Sequence, residues 1–337
     1  AWGLPIPAFE LPDGRTFMTG ASVRAVAQVV RAKGSDAWFT LPPAELLANY
    51  DPGADPAAQA LEGGPVTREM LAGAKKGRDI LDVWFESGSS WNGVLRERGL
   101  GYPADLYLEG SDQHRGWFQL SLLPALGVTG HAPFRTLLTH GFMVDKDGRK
   151  LSKSKGDTVE DLFNDYGVDV LRWWVSSLAY ENDVKVDRSF FDLAGEAYRK
   201  VRNTLRFMLS NLADFYPEKA GLRPHADGPG AFAALTGTPA QLPPHSLDAW
   251  VLGAFDALTK QVVAAYHAYD FRGANLALYD FCNETLSATY LGAVKERLYC
   301  DAKDSARRRR TQATLFAIAD GLCRLLARRG VRVAPFK

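Results

Sequence analysis

Two hydrophobic patterns meet near Asp187, and this change constrains the fold more than any other feature of the 337-residue chain. Before Asp187, short apolar runs alternate with amphipathic segments, as in proteins that combine strands with helices. After it, apolar residues recur every three or four positions over long stretches, which is the period of a helix. We therefore predict an α/β region over residues 1–187 and an all-α region over residues 188–337.

The composition limits the class of protein. Hydrophobic residues make up 46% of the chain and charged residues 23%, which is typical of a globular protein and excludes a disordered or collagen-like chain. The formal net charge is +1, so a surface that binds nucleic acid would have to be local. No apolar run approaches the roughly 20 residues that span a bilayer, and we expect no membrane partner.

The cysteines and histidines favour neither a metal site nor a disulfide framework. Cys282, Cys300 and Cys323 are far apart and form no CxxC pair, and the histidines are scattered. This usage fits a reduced, cytoplasmic setting, and we predict no metal-ligating residues.

A strand, a helix and a second strand follow one another in the α/β region. Asp105–Gly110 and Arg135–His140 are predicted strands, and the helix between them is expected to begin at Ser111 or Asp112 as its cap. This order predicts a βαβ unit with parallel strands. Ligands bind at the carboxyl ends of such strands, so the residues after Leu108 and Thr139 are the first candidates for a site.

Further elements are predicted on either side of this unit. Within residues 1–80, a helix is expected from about Ser22 to Lys33, with Ser22 as its cap. Four long amphipathic helices predict a bundle after Asp187. Their apolar stripes contain Phe191, Ala194, Tyr198, Val201, Leu205, Met208 and Leu212; Trp250, Ala254, Leu258, Val262 and Ala265; Ala274, Leu278, Cys282, Leu286 and Tyr290; and Leu315, Ala319, Leu322 and Leu326.

The segment Val144–Gly156 is the first candidate for chemistry, and it lies within a hairpin and loop that we predict from Gly141 to Asp157. It interleaves lysines with Ser152, Ser154 and two glycines. Ammonium groups and hydroxyls suit phosphate oxygens and could stabilise charge that develops on a triphosphate. The alternative is a solvated basic hairpin tip. No Walker-type phosphate loop is present.

The second candidate is the strand-to-helix turn Glu109–Trp117. Exposed helix amides and Gly110 would let a ligand approach closely. Glu109 could accept a hydrogen bond from an ammonium group and Asp112 from ribose hydroxyls, while the helical spacing brings Gln113 near Trp117. The alternative is an ordinary capped helix start with acidic residues that favour the helix dipole.

Two other segments allow either a functional or a structural interpretation. In Asp82–Gly88, Trp84 at a strand end could wall an apolar pocket, or it could pack in the core. The run Arg307–Arg310 could hold nucleic-acid phosphates, or it could form a solvated charged face.

These motifs together resemble one family. Lys150–Ser154 reads KLSKS and resembles the KMSKS signature of class I aminoacyl-tRNA synthetases, and Gly110–Gln113 resembles the nucleotide-contacting turn of that class. With Asp82–Gly88, Glu109–Phe118 and His140–Phe142 added, the pattern resembles the bacterial type of the isoleucyl-tRNA synthetase family. A valyl-type enzyme is expected to have a more apolar run after Asp112.

The resemblance implies a domain organisation. Residues 1–80 resemble the segment that returns from the editing insertion, and residues 81–187 the second half of a Rossmann-type catalytic domain. Residues 188–337, with Tyr198–Thr204, resemble the helical anticodon-binding domain.

The resemblance also implies a two-step reaction, in which isoleucine attacks the α-phosphate of ATP and the aminoacyl group then moves to tRNA(Ile). The expected partners are isoleucine, ATP with Mg²⁺, and tRNA(Ile), with the protein a cytoplasmic monomer. The implied catalytic residues are Lys150, Ser152, Lys153 and Ser154. The implied substrate and adenylate contacts are Glu109, Gly110, Asp112, Gln113, Trp84 and Trp117, and those to ATP are Lys153, His140, Gly141 and Phe142.

The chain also departs from the family pattern. No HIGH-type motif is present, Glu86 stands where the family usually has Asp, and the residues from Ala327 onward do not resemble the family continuation. The family's zinc region and most of its editing domain are not covered. We therefore expect a fragment that is inactive alone. The alternatives are a valyl-type class I synthetase and a non-catalytic tRNA-binding module.

Overall fold

The computed structural model describes residues 3–145, 147–149, 159–217 and 242–327, and the chain divides into two compact units, Ala1–His140 and Gly141–Lys337. The first unit contains five strands and seven α-helices among its described residues: β1 Phe9–Glu10, β2 Thr16–Phe17, α1 Gly20–Lys33, α2 Ala37–Thr40, α3 Pro43–Leu46, α4 Pro56–Gln59, α5 Arg68–Ala72, β3 Lys75–Lys76, α6 Val83–Gly88, β4 Ala104–Gly110, α7 Trp117–Thr129 and β5 Phe134–His140.

The beginning of the first unit has its own small core. The strands form an antiparallel sheet in the order β2–β1–β3, and Phe9, Phe17 and Trp38 are buried beneath it. The predicted helix is present as α1, but Ser22 does not cap it. The cap is Thr19, whose side chain accepts from the Ser22 amide while the Ser22 hydroxyl accepts from the Thr19 amide. This reciprocal capping box starts the helix one turn earlier.

The predicted βαβ unit is present. Strands β4 and β5 pair in parallel, and α7 connects them. The register places Glu109 opposite Thr139 and Gly110 opposite His140, so the carboxyl ends of both strands lie at one edge.

Two local predictions in this region are wrong. Trp84 was predicted at a strand end, but it lies in the helix α6. Asp82 accepts from the Trp84 amide and so starts a helix there. Ser111 and Asp112 do not cap α7. They begin a short 3₁₀ turn, and α7 starts only after Gly116.

The second unit is mostly helical. The helix Val168–Ser176 packs against the helix Arg188–Ser210, since the ring centroids of Trp174 and Phe191 are 4.6 Å apart. The described elements of this unit are β6 Met143–Val144, α8 Val159–Tyr166, α9 Val168–Ser176, β7 Val184–Lys185, α10 Arg188–Ser210, α11 Leu247–His267, α12 Phe271–Asp280, α13 Leu291–Tyr299 and α14 Ala306–Ala327, with a π-helical segment Phe281–Tyr290 between α12 and α13.

The hairpin and loop predicted after His140 are described only in their first part, where the Asp145 amide donates to the Arg149 carbonyl at 2.9 Å. Met143 and Val144 pair in parallel with Val184 and Lys185, which lie some forty residues later, rather than with a neighbouring strand. The stretch from about Pro217 to His245 is rich in Pro, Gly and Ala, and most of it lies outside the described residues.

The bundle core confirms most of the predicted apolar stripes. The third stripe is fully buried from Ala274 to Tyr290, with every member at most 1% exposed. Its members are four residues apart and would drift around an ordinary α-helix. The π-helical segment holds more residues per turn and so keeps them on one side.

The second stripe is confirmed at Leu258 and Val262, but it is wrong at Trp250. Trp250 is 47% exposed, and the buried face of α11 contains Val251, Phe255, Leu258 and Val262. The N-cap of α10 is Asp187, whose carboxylate accepts from the Ser189 amide at 2.9 Å.

A buried carboxylate joins several helices of the bundle. Asp248, at the start of α11, is 3% exposed and accepts from the Tyr290 hydroxyl at 2.6 Å and from the Arg297 guanidinium at 3.0 Å. Thr311 of α14 also donates to it, at 3.3 Å. Burial raises the pKa of Tyr290, whose hydroxyl therefore stays a donor.

A second buried carboxylate organises the first unit. Asp55 is 7% exposed and accepts from the hydroxyls of Thr19 at 2.6 Å and Tyr50 at 2.7 Å. The Thr19 hydrogen bond is the largest influence that holds the pKa of Asp55 below its usual 3.8. Burial raises the pKa of Tyr50 to about 12.

None of the helices in the described ranges is both long enough and apolar enough to cross a membrane.

Asp248→Ala should destabilise the helical unit by about 3–5 kcal/mol, because it leaves a largely buried guanidinium and a buried hydroxyl without their acceptor. Asp256→Ala is the control in the same helix. It breaks a 2.7 Å pair with Lys260 in which both side chains are more than half exposed, and it should cost less than about 1 kcal/mol. Urea unfolding of both variants measures the difference, and equal losses would contradict this role of Asp248.

Asp55 should make the first unit sensitive to acid. A folded-state pKa below the unfolded value contributes stability above that value, and the contribution is lost as the pH falls through the folded pKa. Stability should therefore decline below about pH 4, and Asp55→Asn should flatten this decline. Urea unfolding between about pH 2 and pH 7 tests this, with the exposed Asp36→Asn variant expected to follow the unmodified chain.

Candidate functional site

The carboxyl edge of the parallel strand pair presents two uncommitted carboxylates. Glu109 and Asp112 are both exposed, and neither forms a hydrogen bond or ion pair with another described residue. Gly110 lies buried between them where β4 ends. The edge can therefore accept hydrogen bonds from a ligand that carries an ammonium group or hydroxyls.

Gln113 and Trp117 are neighbours, as their helical spacing predicted. The Gln113 Oε1 accepts from the Trp117 amide at 3.2 Å. The Trp117 indole donates from Nε1 to the Ser87 carbonyl at 3.0 Å and stacks on Tyr107, with centroids 4.5 Å apart and planes 12° from parallel. The bond to Ser87 and the stack on Tyr107 thus hold the indole between α6 and β4.

Tyr107 and Ser87, which contact this indole, were not among the residues predicted from the sequence. Strand alternation places Tyr107 on the same face of β4 as Glu109, which was the available signal. Burial raises the pKa of Tyr107, and its hydroxyl bonds that of Ser121 at 3.0 Å. Nothing in the local sequence pointed to the Ser87 carbonyl.

Trp84 lies on the same side of the unit. Its side chain is 41% exposed, so it is not a core residue. It lies against the turn before α7, where a Cβ placed on Gly116 would be 3.6 Å from the Trp84 ring. The structure therefore places Trp84, Gln113 and Trp117 around one turn, next to the strand edge.

Glu86 has a partner near the start of the described chain. Its carboxylate accepts from the Leu4 amide and so ties the start of the described chain to α6. The backbone bond from Leu81 to Leu4, at 2.7 Å, runs alongside. The Glu86 side chain therefore holds this early segment in place.

Helices α6 and α7 approach each other at Gly88. A Cβ there would overlap the Leu120 carbonyl and lie 2.9 Å from the Ser121 amide nitrogen. Only glycine allows this contact, and α6 carries Trp84 at its start. The close approach therefore fixes where the Trp84 side chain lies.

Gly141 and Phe142 are held by their own unit. The Gly141 amide donates to the Tyr180 carbonyl at 2.9 Å, and the Phe142 amide to Asp183 Oδ1 at 2.8 Å. A Cβ on Gly141 would overlap the backbone of Asn182. These contacts give both residues a structural role. His140, the third predicted ATP contact, ends β5 in the first unit.

The lysine loop is described only at its beginning. Asp145 Oδ1 accepts from the amides of Asp147 and Arg149, each at 2.9 Å, and closes a tight turn. The predicted catalytic residues that follow, Lys150, Ser152, Lys153 and Ser154, lie outside the described residues.

The arginine run 307–310 is largely paired within its own unit. Arg307 bonds Asp301 at 2.5 Å, and Arg308 bonds Asp214 at 3.2 Å. Arg309 donates to the Asp214 carbonyl at 2.6 Å. Three of the four guanidinium groups therefore already have internal acceptors.

Gly88→Ala should destabilise the first unit by about 1–3 kcal/mol, because the added methyl group forces α6 away from α7. Gly93→Ala is the matched control, since no atom lies within 4 Å of the Cβ it would add, and it should change stability by less than about 1 kcal/mol. Thermal unfolding of the two variants measures the effect. Equal melting temperatures would contradict the close packing at Gly88.

Two family models match the chain. Residues 1–187 match the model described as tRNA synthetases class I (I, L, M and V). Residues 248–327 match the model described as the anticodon-binding domain of tRNA ligase.

Curated relatives and a solved structure agree with these matches. The chain is 42% identical over 333 residues to an isoleucine–tRNA ligase of Desulfitobacterium hafniense and 40% identical over 330 residues to that of Desulfotalea psychrophila. Each comparison covers 97% of this chain and 32% of the relative, so the chain spans about a third of these proteins.

One similar solved structure is the LeuRS of Agrobacterium radiobacter in a LeuRS–tRNA–LeuAMS ternary complex. Its TM-score is 0.55 at 15% identity, with 96% of this chain and 40% of that chain covered. This likeness shows a shared fold. The α/β part is a class I catalytic domain and the helical part an anticodon-binding domain, and the chain belongs to the family of class I tRNA synthetases (I, L, M and V).

Proposed function

We propose that this chain is part of an isoleucine–tRNA ligase, which activates isoleucine with ATP and transfers it to tRNA(Ile). The observation that carries the proposal is the edge of the β4–β5 pair, where the uncommitted carboxylates of Glu109 and Asp112 lie beside a turn bordered by Trp84 and Trp117. The identity of about 40% to ligases of that name supports the choice of isoleucine.

The edge offers complementary groups to an aminoacyl-adenylate. Glu109 would accept a hydrogen bond from the substrate ammonium, and Asp112 from ribose hydroxyls. Gly110, without a side chain, would let the adenylate approach the strand end, and Gln113 would help to hold it. These groups would orient the isoleucine carboxylate toward the α-phosphate of ATP. Orientation of two reactants alone can supply a large part of the rate enhancement of an enzyme.

The apolar side chain would lie against the two indoles. Trp117 is fixed by its bonds to Ser87 and Gln113, so this side of the pocket is preorganised. An apolar pocket distinguishes isoleucine from valine, one methylene smaller, by only about 10–200-fold.

The lysine loop would stabilise charge on the triphosphate. Lys150 and Lys153 would contact phosphate oxygens and Ser152 and Ser154 would donate neutral hydrogen bonds, with His140, Gly141 and Phe142 near the nucleotide. No covalent nucleophile is needed for attack at phosphorus. ATP is expected with Mg²⁺, which protein sites usually bind through phosphates and one or two carboxylates. Across the described ranges, no three acidic, histidine or cysteine side chains cluster around a metal position.

We extend the proposal to a monomer that works in the cytoplasm. The valyl-type alternative is distinguished by which amino acid, valine or isoleucine, supports the exchange of pyrophosphate into ATP. The non-catalytic tRNA-binding alternative is less well supported than the sequence suggested, because three arginines of the run 307–310 already have internal acceptors.

Amino-acid-dependent exchange of pyrophosphate into ATP, measured on the complete enzyme, tests the proposal. Isoleucine should support exchange about 10–200-fold better than valine in kcat/KM. Lys153→Ala should lower kcat by about 10²–10³-fold, because one charge-stabilising donor is lost. The exposed Lys75→Ala variant in β3 is the control and should retain full exchange.

The 337-residue chain by itself should give no exchange, since no HIGH-type motif is present. Better exchange with valine, or an unchanged rate in Lys153→Ala, would overturn the assignment. Exchange by the chain alone at the rate of the complete enzyme would overturn the inactivity of this part.

A further inference from the structure

The long helix α10 carries a row of arginines on its exposed side. Arg199, Arg202 and Arg206 are exposed, and their spacing of three and four residues puts them on one face. The other side of α10, with Val201 and Met208, is buried in the bundle core. We call Arg199, Arg202 and Arg206 the arginine row.

No carboxylate among the described residues forms an ion pair with this row. Within the described part of the chain, none of its three members forms an ion pair, whereas Arg307 and Arg308 each bond an aspartate. Like charges one helical turn apart repel each other and weaken a helix. The row therefore costs the isolated unit some stability, which an external anion would restore.

Two further lysines lie near this helix, one on α10 itself and one on α13. Lys200 is the neighbour of Arg199, and Lys295 of α13 lies with its Nζ 6.0 Å from the ring centre of Phe207. Both lysines are exposed. Lys200 donates to the Tyr279 hydroxyl at 3.0 Å, and this bond, with smaller contributions from Glu196 and Glu284, raises the pKa of Lys200. Neither glutamate forms a described ion pair with the row.

A cleft of about 550 Å³ opens at one end of the row. Tyr198, which precedes Arg199, lines it together with Arg172 and Asp169. The Tyr198 hydroxyl already donates to Asp169 at 3.1 Å, which leaves Arg172 as a further cation at the cleft wall. The positive surface thus borders a recess rather than a flat face.

We propose that the arginine row binds the phosphate backbone of tRNA. Guanidinium groups donate paired hydrogen bonds to phosphate oxygens, and such contacts set the position of a protein on nucleic acid without reading its sequence. The inference rests on the proposed function, because it takes the bound anion to be the aminoacylated RNA. The row lies between residues 187 and 248, in a segment that neither family model matches.

The salt dependence of binding tests the proposal. The complete enzyme would be titrated with a tRNA(Ile) transcript at several salt concentrations, with Arg199→Gln, Arg202→Gln and Arg206→Gln combined in one variant. Each lost phosphate contact lowers the slope of log K against log salt by about 0.7–0.9, so the triple variant should lose about 2–3. Binding at low salt should weaken by roughly tenfold or more.

A charge-matched control distinguishes the effect of the arginine row on binding from the effect of net charge. Arg24→Gln, Arg31→Gln and Arg68→Gln, combined, remove the same three charges from exposed positions of the first unit. This variant should keep the slope of the unmodified enzyme. A triple Arg→Lys variant of the row should keep most of the slope, because it preserves the charges. If the triple Gln variant melts at a lower temperature, the three single variants replace it, each with an expected loss of about 1.

The outcomes separate the two proposals. If the unmodified enzyme binds tRNA(Ile) and the row variants keep its slope, the row does not bind RNA and the proposed function stands. Equal losses in the row and control variants would also overturn the inference. If the unmodified enzyme binds no tRNA(Ile), the proposed function itself fails.

Discussion

The parallel pairing of β4 with β5 is the constraint on which the candidate site depends. Its register sets Glu109 beside Thr139 and Gly110 beside His140, and so brings two chain segments that are thirty residues apart to one edge. Parallel strands require a crossover, and the helix α7 that makes it starts with Trp117 at that same edge. One topological choice therefore positions both the acidic and the aromatic side of the site.

Close packing then fixes the aromatic side. Gly88 lets α6 lie directly on α7, and the indole of Trp117 bonds the Ser87 carbonyl one residue earlier. In the helical unit, buried polar groups fix the packing of the helices, because Asp248 accepts hydrogen bonds from residues on three other segments of the bundle. Such networks stabilise only one arrangement of helices, since each alternative would leave a buried group without a partner.

The sequence predicted the elements whose patterns are local and missed those set by neighbours. Strand β5 and the Ala274–Tyr290 stripe were readable from run length and period. Trp250 was placed in the core because α11 is apolar around much of its circumference, and only contacts with other helices decide which side is buried. The motifs around Glu109 were found from residue type, but the supports of Trp117 and the pairing of Arg308 with Asp214 join distant segments that no local pattern connects.

The central claim is that the edge at Glu109–Trp117 receives the adenylate. Amide hydrogen exchange of the complete enzyme, with and without a non-hydrolysable isoleucyl-adenylate analogue, measures this directly, because a ligand slows exchange where it stabilises the native state. The account predicts slower exchange in peptides that cover the end of β4 and the turn before α7, with no change in α1. Unchanged exchange at that edge with a saturating analogue would contradict it.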